Sequence, residues 1–176
     1  MHRVGITGAA GMLGGALIDV LHGRHHVFAT GRQTGYAPPG VIWELFDLLD
    51  ERRIAQWVER SRLEVVVHTA AVVNVDLCER DPIMAERLHV GSTGVLASAV
   101  AARGGRMIYV STDSLFDGRQ DQPYVESDTP RPLNTYARTK LAGESAALQA
   151  PGTAVLRTNI FGWSRHQRPS FAAAKC

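Results

Sequence analysis

The stretch Val4-Gly5-Ile6-Thr7-Gly8-Ala9-Ala10-Gly11-Met12-Leu13-Gly14 joins a short apolar run directly to a glycine-rich turn. Apolar residues at helical spacing follow in 16–21, so the pattern predicts a strand, a tight turn and a helix. Glycines there allow close backbone approach to a pyrophosphate, and the helix N-terminus attracts phosphate. The G-x-x-G-x-x-G spacing in this context therefore favours dinucleotide binding over a plain tight turn.

The cofactor contacts predicted at this turn are Gly8, Gly11, Met12, Leu13 and Gly14. A second strand is predicted at 27–30, and Arg32 stands just after it. An arginine at that place suits the 2′-phosphate of NADP, whereas an acidic residue suits the ribose of NAD. We therefore predict NADP (NADPH) as the preferred cofactor, with NAD as the alternative and a solvated surface arginine as the competing interpretation.

Strands and helices alternate along the rest of the chain, which predicts an α/β fold with a doubly wound parallel sheet of the Rossmann type. Trp57 is interpreted as a core residue of an amphipathic helix, and the long helical stretch 77–103 is predicted to be interrupted near Asp81-Pro82 and Gly91. The further predicted strands are 41–46, 64–69, 107–110 and 153–158.

Two predicted strand ends carry candidate site residues. Ala70 and Ala71 follow the fourth strand, and small residues there leave room for a ligand. Thr112 ends the fifth strand, where this fold class places chemistry, although it could also simply terminate the strand. His68 is interpreted as a satisfied core polar group rather than a catalyst.

Tyr136 and Lys140 stand four residues apart on a predicted helix, and therefore on one face. The chain has 19 Lys plus Arg, of which only Lys140 and Lys175 are lysines. An ammonium beside a tyrosine favours the phenolate, so the sequence predicts a lowered pKa and a proton donor at Tyr136. A chance spacing on an exposed helix is the alternative.

The segment 116–132 is a long loop for a compact domain, and such loops are usually functional. It leads into the helix that carries Tyr136 and Lys140. Asn134 is predicted to cap this helix. Its buried face is predicted from apolar residues, namely Leu141, Ala142 and Leu148.

The bulk properties exclude several classes. A net charge of +2 with mixed signs indicates no nucleic-acid or membrane partner. The seven histidines form no metal pattern. Cys78 and Cys176 make no disulfide framework, and the start of the chain resembles no secretory leader, so we expect a reduced, cytoplasmic protein.

The glycine turn, Thr112, Tyr136 and Lys140 together resemble the extended short-chain dehydrogenase/reductase superfamily. Within it, several multi-residue blocks resemble dTDP-4-dehydrorhamnose reductases: 111–118, 132–136, 140–144 and 156–158. The resemblance implies reduction of the 4-keto group of a nucleotide-linked deoxysugar by NAD(P)H, with that sugar nucleotide as the substrate.

The resemblance also implies roles. Tyr136 would protonate the nascent alkoxide, Lys140 would hold the nicotinamide ribose and lower the Tyr136 pKa, and Thr112 would orient the carbonyl. The remaining implied contacts are Ala70 and Ala71 on the nicotinamide side, and Asp47 with Leu48 near the adenine.

The chain departs from the family at Val72, where an aromatic residue is common, and at Ser114, where a tyrosine is commoner. A frequent asparagine, associated with a water-linked proton route to the lysine, is placed at Gly91. Relatives continue into a substrate domain, so residues 1–160 are expected to form the NAD(P)-binding domain and 161–176 the cut-short start of that further part. An incomplete sheet edge could favour a homodimer.

Two other functions compete with a reductase. One is a sugar-nucleotide epimerase or dehydratase of the same superfamily, which Ser114 and Arg32 disfavour because dehydratases and epimerases usually carry acidic residues there. The other is a non-catalytic, nucleotide-binding regulatory subunit that resembles the methionine adenosyltransferase beta subunit.

Overall fold

The computed structural model describes residues 1–162. Trp163 and the residues after it, which make up most of the predicted segment 161–176, lie outside the described residues.

The described chain folds around one parallel sheet of six strands in the order β3-β2-β1-β4-β5-β6. The chain leaves β1 toward one edge and then returns to build β4 on the other side, which makes the β1/β4 boundary the switch point where ligands bind in such sheets. The predicted doubly wound, Rossmann-like fold is confirmed. The strands are β1 Arg3–Thr7, β2 His26–Gly31, β3 Ile42–Leu45, β4 Val65–His68, β5 Arg106–Thr112 and β6 Thr153–Thr158.

Helices connect the strands. Side-chain caps begin four of them, because Asp50, Asn74, Asp81 and Asn134 each accept a hydrogen bond from the backbone N–H three residues ahead. The predicted Asn134 cap is thereby confirmed. The helices are α1 Met12–Leu21, α2 Glu51–Ser61, α3 Val75–Arg80, α4 Pro82–Glu86, α5 Ser92–Ala102 and α6 Thr135–Leu148.

The long helical stretch is interrupted in two ways. Pro82 begins α4 after Asp81, as predicted. Near Gly91 the chain does not break but widens into a π-helical segment, Arg87–Gly91, which runs directly into α5. Such segments are rare and are frequently found at functional sites.

Two apolar clusters cover the sheet. Alternate residues of β2 separate them, with Val27 and Ala29 packed near α1 and Phe28 in the larger cluster that includes residues of α2, α5 and α6. Trp57 is 1% exposed and packs 5.9 Å from the Phe46 ring, centroid to centroid, which confirms it as a core residue. Among residues 1–162, no helix has the length and apolar character needed to cross a bilayer.

Candidate active site

The glycine turn lies at the carboxyl end of β1, next to the end of β4. Gly8 has a φ of +62°, and a Cβ there would lie 2.8 Å from the Ala70 Cα. A Cβ on Gly14 would lie 2.5 Å from the Gly8 carbonyl oxygen, so α1 packs against the turn as only glycine permits. The turn is closed by a hydrogen bond of 2.8 Å from Gly11 N to Gly8 O.

The turn fits a nucleotide pyrophosphate. Gly11 is the N-cap of α1 and supplies no side-chain hydrogen bond to the first turn of the helix, which begins at Met12 and Leu13. Phosphate oxygens are suitable partners for backbone N–H groups at such a helix end. The predicted set of glycines, Met12 and Leu13 is therefore brought together in one structural element.

The predicted adenosine contacts lie at the ends of neighbouring strands. Arg32 is exposed directly after β2, and Asp47 is exposed after β3 with its Oδ1 accepting from Leu49 N at 3.0 Å. The Leu48 side chain is only 6% exposed and belongs to the larger apolar cluster. Any cofactor contact at Leu48 would therefore involve its backbone.

Thr112 and Tyr136 come together from different elements. Thr112 is buried at the end of β5, and its Oγ1 accepts from Ser114 N at 3.1 Å to begin a short 3₁₀ turn, Asp113–Leu115. The Thr112 hydroxyl also lies close enough to Tyr136, in the first turn of α6, to act on the pKa of its phenol. The structure therefore brings two of the predicted site residues, Thr112 and Tyr136, near each other.

The N-terminus of α6 is held from two sides. Asn134 accepts from Ala137 N at 2.8 Å, and the Glu79 carboxylate of α3 accepts from the Thr135 backbone at 2.7 Å and its hydroxyl at 2.8 Å. Carboxylates at a helix N-terminus are favoured by the helix dipole. The first turn of α6, which carries Tyr136, is thus fixed relative to α3.

Lys140 lies one turn beyond Tyr136 and is 2% exposed. Its Nζ donates to the Val110 carbonyl oxygen at 2.7 Å and lies 4.0 Å from the centroid of the Tyr109 ring. Burial lowers the pKa of Lys140 to about 7, and the nearby Glu144 carboxylate opposes that shift. The lysine is therefore a titratable group near neutral pH, which an arginine in its place would not be.

The predicted lowering of the Tyr136 pKa is wrong for this structure. Burial raises the Tyr136 pKa, although the nearby Thr112 hydroxyl acts in the other direction. The Lys140 ammonium contacts the Val110 carbonyl oxygen and the Tyr109 ring. Desolvation therefore determines the direction in which the Tyr136 pKa shifts. A raised pKa keeps the phenol protonated at neutral pH.

The predicted buried face of α6 is also wrong. Leu148 is 56% exposed and Ala142 is exposed, whereas Lys140 and Glu144 are almost completely buried. The inward face is made of small and polar residues because it carries the site and the Glu144–Arg157 ion pair, whose shortest distance is 2.7 Å, from Arg157 Nη2 to Glu144 Oε2. Hydrophobicity alone pointed to the opposite face.

His68 is a satisfied core group, as predicted. Its ring is 1% exposed, with Nδ1 2.6 Å from Thr7 Oγ1 and Nε2 3.0 Å from Thr93 Oγ1. Burial is the main cause that lowers the His68 pKa to about 3, so the ring is neutral at physiological pH. Thr7 Oγ1 also accepts from Ala70 N at 3.3 Å, which ties the predicted nicotinamide-side residue to β1.

Sequence reasoning missed His89 and misjudged Gly91. A Cβ on Gly91 would face Glu51 Oε1 at 3.5 Å, on α2, so position 91 does not point to Lys140. The residue of the π-helical segment that faces the site is His89, whose ring lies 5.8 Å from the Tyr136 ring. No local sequence signal marks it, since its partners are distant in the chain.

Comparison with known proteins identifies the family of the chain. Residues 1–171 match the family described as the RmlD substrate binding domain. The chain belongs to this family. As expected for an RmlD-family member, solved dTDP-4-dehydrorhamnose reductases share its fold, and the predicted resemblance is confirmed.

Two solved structures illustrate the likeness. A hypothetical dTDP-4-dehydrorhamnose reductase from Sulfolobus tokodaii is 32% identical with a TM-score of 0.79, covering 88% of this chain and 55% of that one. The dTDP-4-dehydrorhamnose reductase of Bacillus anthracis in complex with NADP is 27% identical with a TM-score of 0.79, covering 89% and 53%.

A curated relative of a different kind is also similar. The RmlD-family chain is 40% identical over 159 residues to methionine adenosyltransferase 2 subunit beta of Rattus norvegicus. The match covers 90% of this chain and 46% of the relative, so the chain spans about half the length of the curated relatives it matches.

Among residues 1–162, no cluster of histidine, cysteine or carboxylate side chains could hold a metal ion.

Proposed function

We propose that this chain carries the cofactor and proton-donor half of an NADPH-dependent reductase that acts on the 4-keto group of a nucleotide-linked deoxysugar. The observation that carries the proposal is the position of Tyr136 and Lys140, one turn apart on α6, against the end of β5, where Lys140 Nζ donates to the Val110 carbonyl oxygen at 2.7 Å and Thr112 lies near Tyr136. The family membership and the likeness to dTDP-4-dehydrorhamnose reductases support the choice of substrate class.

The nicotinamide cofactor supplies a hydride to the carbonyl carbon when it is bound. Negative charge then builds on the carbonyl oxygen, and a positioned acid relieves it. Tyr136 fits this role because burial keeps its hydroxyl protonated. Thr112 would hold the carbonyl oxygen by a hydrogen bond, the alcohol would leave with the Tyr136 proton, and solvent would reprotonate the phenolate.

The remaining predicted contacts belong to cofactor binding. We infer that the Gly8–Gly14 turn holds the pyrophosphate, Ala70 and Ala71 line the nicotinamide side, and Lys140 holds the ribose hydroxyls. The exposed Arg32 after β2 supports NADP over NAD, and Asp47 with the Leu48 backbone would lie near the adenine.

Substrate-dependent NADPH oxidation tests the proposal. With dTDP-4-dehydrorhamnose as the substrate, Tyr136→Phe should lower kcat by at least about 100-fold because the general acid is lost. NADPH affinity, followed by cofactor fluorescence, should change little. Thr112→Val should lower kcat as well, and Thr112→Ser, which keeps the hydroxyl, should restore most of the rate. Wild-type turnover that Tyr136→Phe leaves intact would refute the role of Tyr136.

A regulatory, nucleotide-binding function is the second candidate. The observation that favours it is the 40% identity to methionine adenosyltransferase 2 subunit beta. This candidate predicts NADPH binding without sugar-dependent oxidation in the wild-type chain. The same two assays therefore separate the candidates, since they share cofactor binding and differ in turnover.

A further inference from the structure

His89 is a buried histidine that the proposed chemistry does not use. It lies in the π-helical segment Arg87–Gly91 and is 1% exposed. A buried polar side chain needs hydrogen-bond partners to offset its lost hydration. The partners of His89 come from two different elements of the candidate site.

The hydrogen bonds determine which tautomer the His89 ring adopts. Val72 N donates to His89 Nε2 at 3.0 Å, and because a backbone N–H can only donate, Nε2 carries no proton. The proton of the neutral ring is then on Nδ1, which donates to Thr139 Oγ1 at 2.8 Å. Thr139 in turn donates to the carbonyl oxygen of Thr135 or Tyr136, at 2.9 and 3.0 Å.

His89 therefore connects the segment after β4 to the helix of the proton donor. The other end of that segment is also held, since Thr7 Oγ1 accepts from Thr69 N at 3.2 Å and from Ala70 N at 3.3 Å. The segment that contains Ala70 and Ala71, the predicted nicotinamide-side residues, is therefore hydrogen-bonded to Thr7 of β1 at one end and to His89 at the other.

Packing supports the same connection. The His89 ring meets the Tyr136 ring edge-on, with planes at 81°. Gly143 on α6 lies so close to the His89 carbonyl oxygen that a Cβ there would overlap it. Burial is the main cause that lowers the His89 pKa to about 3, and the Lys140 charge acts in the same direction, so the accepting Nε2 is preserved at neutral pH.

We propose that His89 is a positioning residue that fixes the distance and orientation between the Ala70–Val72 segment and helix α6. In this arrangement the nicotinamide side of the cofactor site faces the Tyr136 hydroxyl. The inference rests on the proposed function for its catalytic consequence. A misplacement of about 1 Å in such a site can cost about 100-fold in rate.

Three substitutions test separately the two hydrogen bonds of His89, the one from Val72 N and the one to Thr139 Oγ1. His89→Gln can place an acceptor near Val72 N, His89→Asn can place a donor near Thr139 Oγ1, and His89→Leu keeps neither. Amide exchange of Val72 by NMR should be much faster in His89→Leu and His89→Asn than in wild type, and close to wild type in His89→Gln. The kcat should fall by about 100-fold in His89→Leu and less in the two variants that can keep one of these hydrogen bonds.

Thr139 gives an independent test if His89→Leu does not fold. Thr139→Val removes the partner of Nδ1 and should lower kcat several-fold with little change in the KM for the sugar substrate. Thr139→Ser keeps the hydroxyl and should restore the rate. A kcat equal to that of wild type in both His89→Gln and Thr139→Val would show that the hydrogen bond from His89 to Thr139 of α6 does not position the site.

The outcome for His89 can be read apart from the reductase proposal. If the wild-type chain binds NADPH but does not oxidise it with the sugar nucleotide, the reductase proposal fails, and Val72 exchange and NADPH affinity still decide the role of His89. Faster Val72 exchange with about tenfold weaker NADPH binding in His89→Leu supports positioning. Unchanged exchange, or a lower melting temperature with unchanged NADPH affinity, overturns it.

Discussion

The two halves of the sheet build their parts of the site in opposite ways. The β1-β2-β3 half contributes a turn that requires glycine at two positions, because a Cβ on Gly8 or Gly14 would lie within 3 Å of backbone atoms. The β4-β5-β6 half contributes buried titratable side chains, including His68, His89 and Lys140.

The difference indicates which kind of substitution should disrupt each half of the site. The first half depends on the shape of the backbone over a few consecutive residues. The second half depends on hydrogen bonds between residues up to 63 positions apart, as in the bond from Ala70 N to Thr7 Oγ1. Steric substitutions should therefore damage the first half, and changes of charge or pH should affect the second.

The largest effect is expected from a steric test of the first half. Gly14→Ala should lower the free energy of unfolding by about 3 kcal/mol because its Cβ overlaps the Gly8 carbonyl and Ala9. The adjacent Gly15→Ala is the matched control, since nothing lies within 4 Å of its Cβ. It should raise stability by about 0.5–1 kcal/mol. Equal stabilities in urea denaturation would contradict the close packing of the turn.

A charge test of the second half should give the next largest effect. Lys140→Met should raise the free energy of unfolding by about 2 kcal/mol at pH 6, since it removes a buried ammonium. The Lys140 pKa is lowered from 10.5 to about 7 in the folded state, so wild-type stability falls as pH decreases from about 10.5, and the loss is complete below about 7. The gain should shrink by pH 9, where folded Lys140 is neutral. A gain independent of pH would show that packing, not charge, is responsible.

Acid should act on the same half through its histidines. His68 is neutral when folded, with a pKa of about 3, and takes up a proton near pH 6.5 when unfolded. Its contribution to stability is therefore present above pH 6.5 and is lost as pH falls toward 3. His68→Asn should reduce the slope of stability against pH below pH 6 by about 1.4 kcal/mol per unit. A slope identical to wild type would mean that His68 does not titrate there.

The smallest effect is expected at the exposed rim of the first half. Arg32→Ala should weaken NADPH binding about fivefold, as expected for an exposed ion pair worth about 1 kcal/mol, and leave NADH binding nearly unchanged. Isothermal titration with both cofactors measures the difference. Equal losses for the two cofactors would contradict a 2′-phosphate contact at Arg32.

Much of the fold could be predicted because its signals are local. Apolar runs, the glycine spacing and the Asn134 cap each act over a few residues, and the structure has the six predicted strands in a doubly wound sheet. The place of Thr112 in the candidate site could also be predicted, because the carboxyl ends of parallel strands share one edge of the sheet.

The wrong predictions all concern α6 and its neighbours. The exposed Leu148 and the buried Glu144 reverse the hydrophobic pattern because the inward face serves an ion pair and the candidate site. The sign of the Tyr136 pKa depended on burial, which spacing does not reveal. His89 could not be found from the chain alone, since Val72 and Thr139 lie 17 and 50 positions away.

The sequence by itself determined the strand, glycine turn and helix, the alternation of strands and helices, and the set of candidate residues, because these depend on backbone freedom and on hydrophobic periodicity over short distances. Only the tertiary structure decided which polar groups are desolvated, where the Lys140 ammonium points and how His89 connects two distant segments. Desolvation and hydrogen-bond partnership are properties of the packed interior, and they arise only when residues far apart in the chain are brought together.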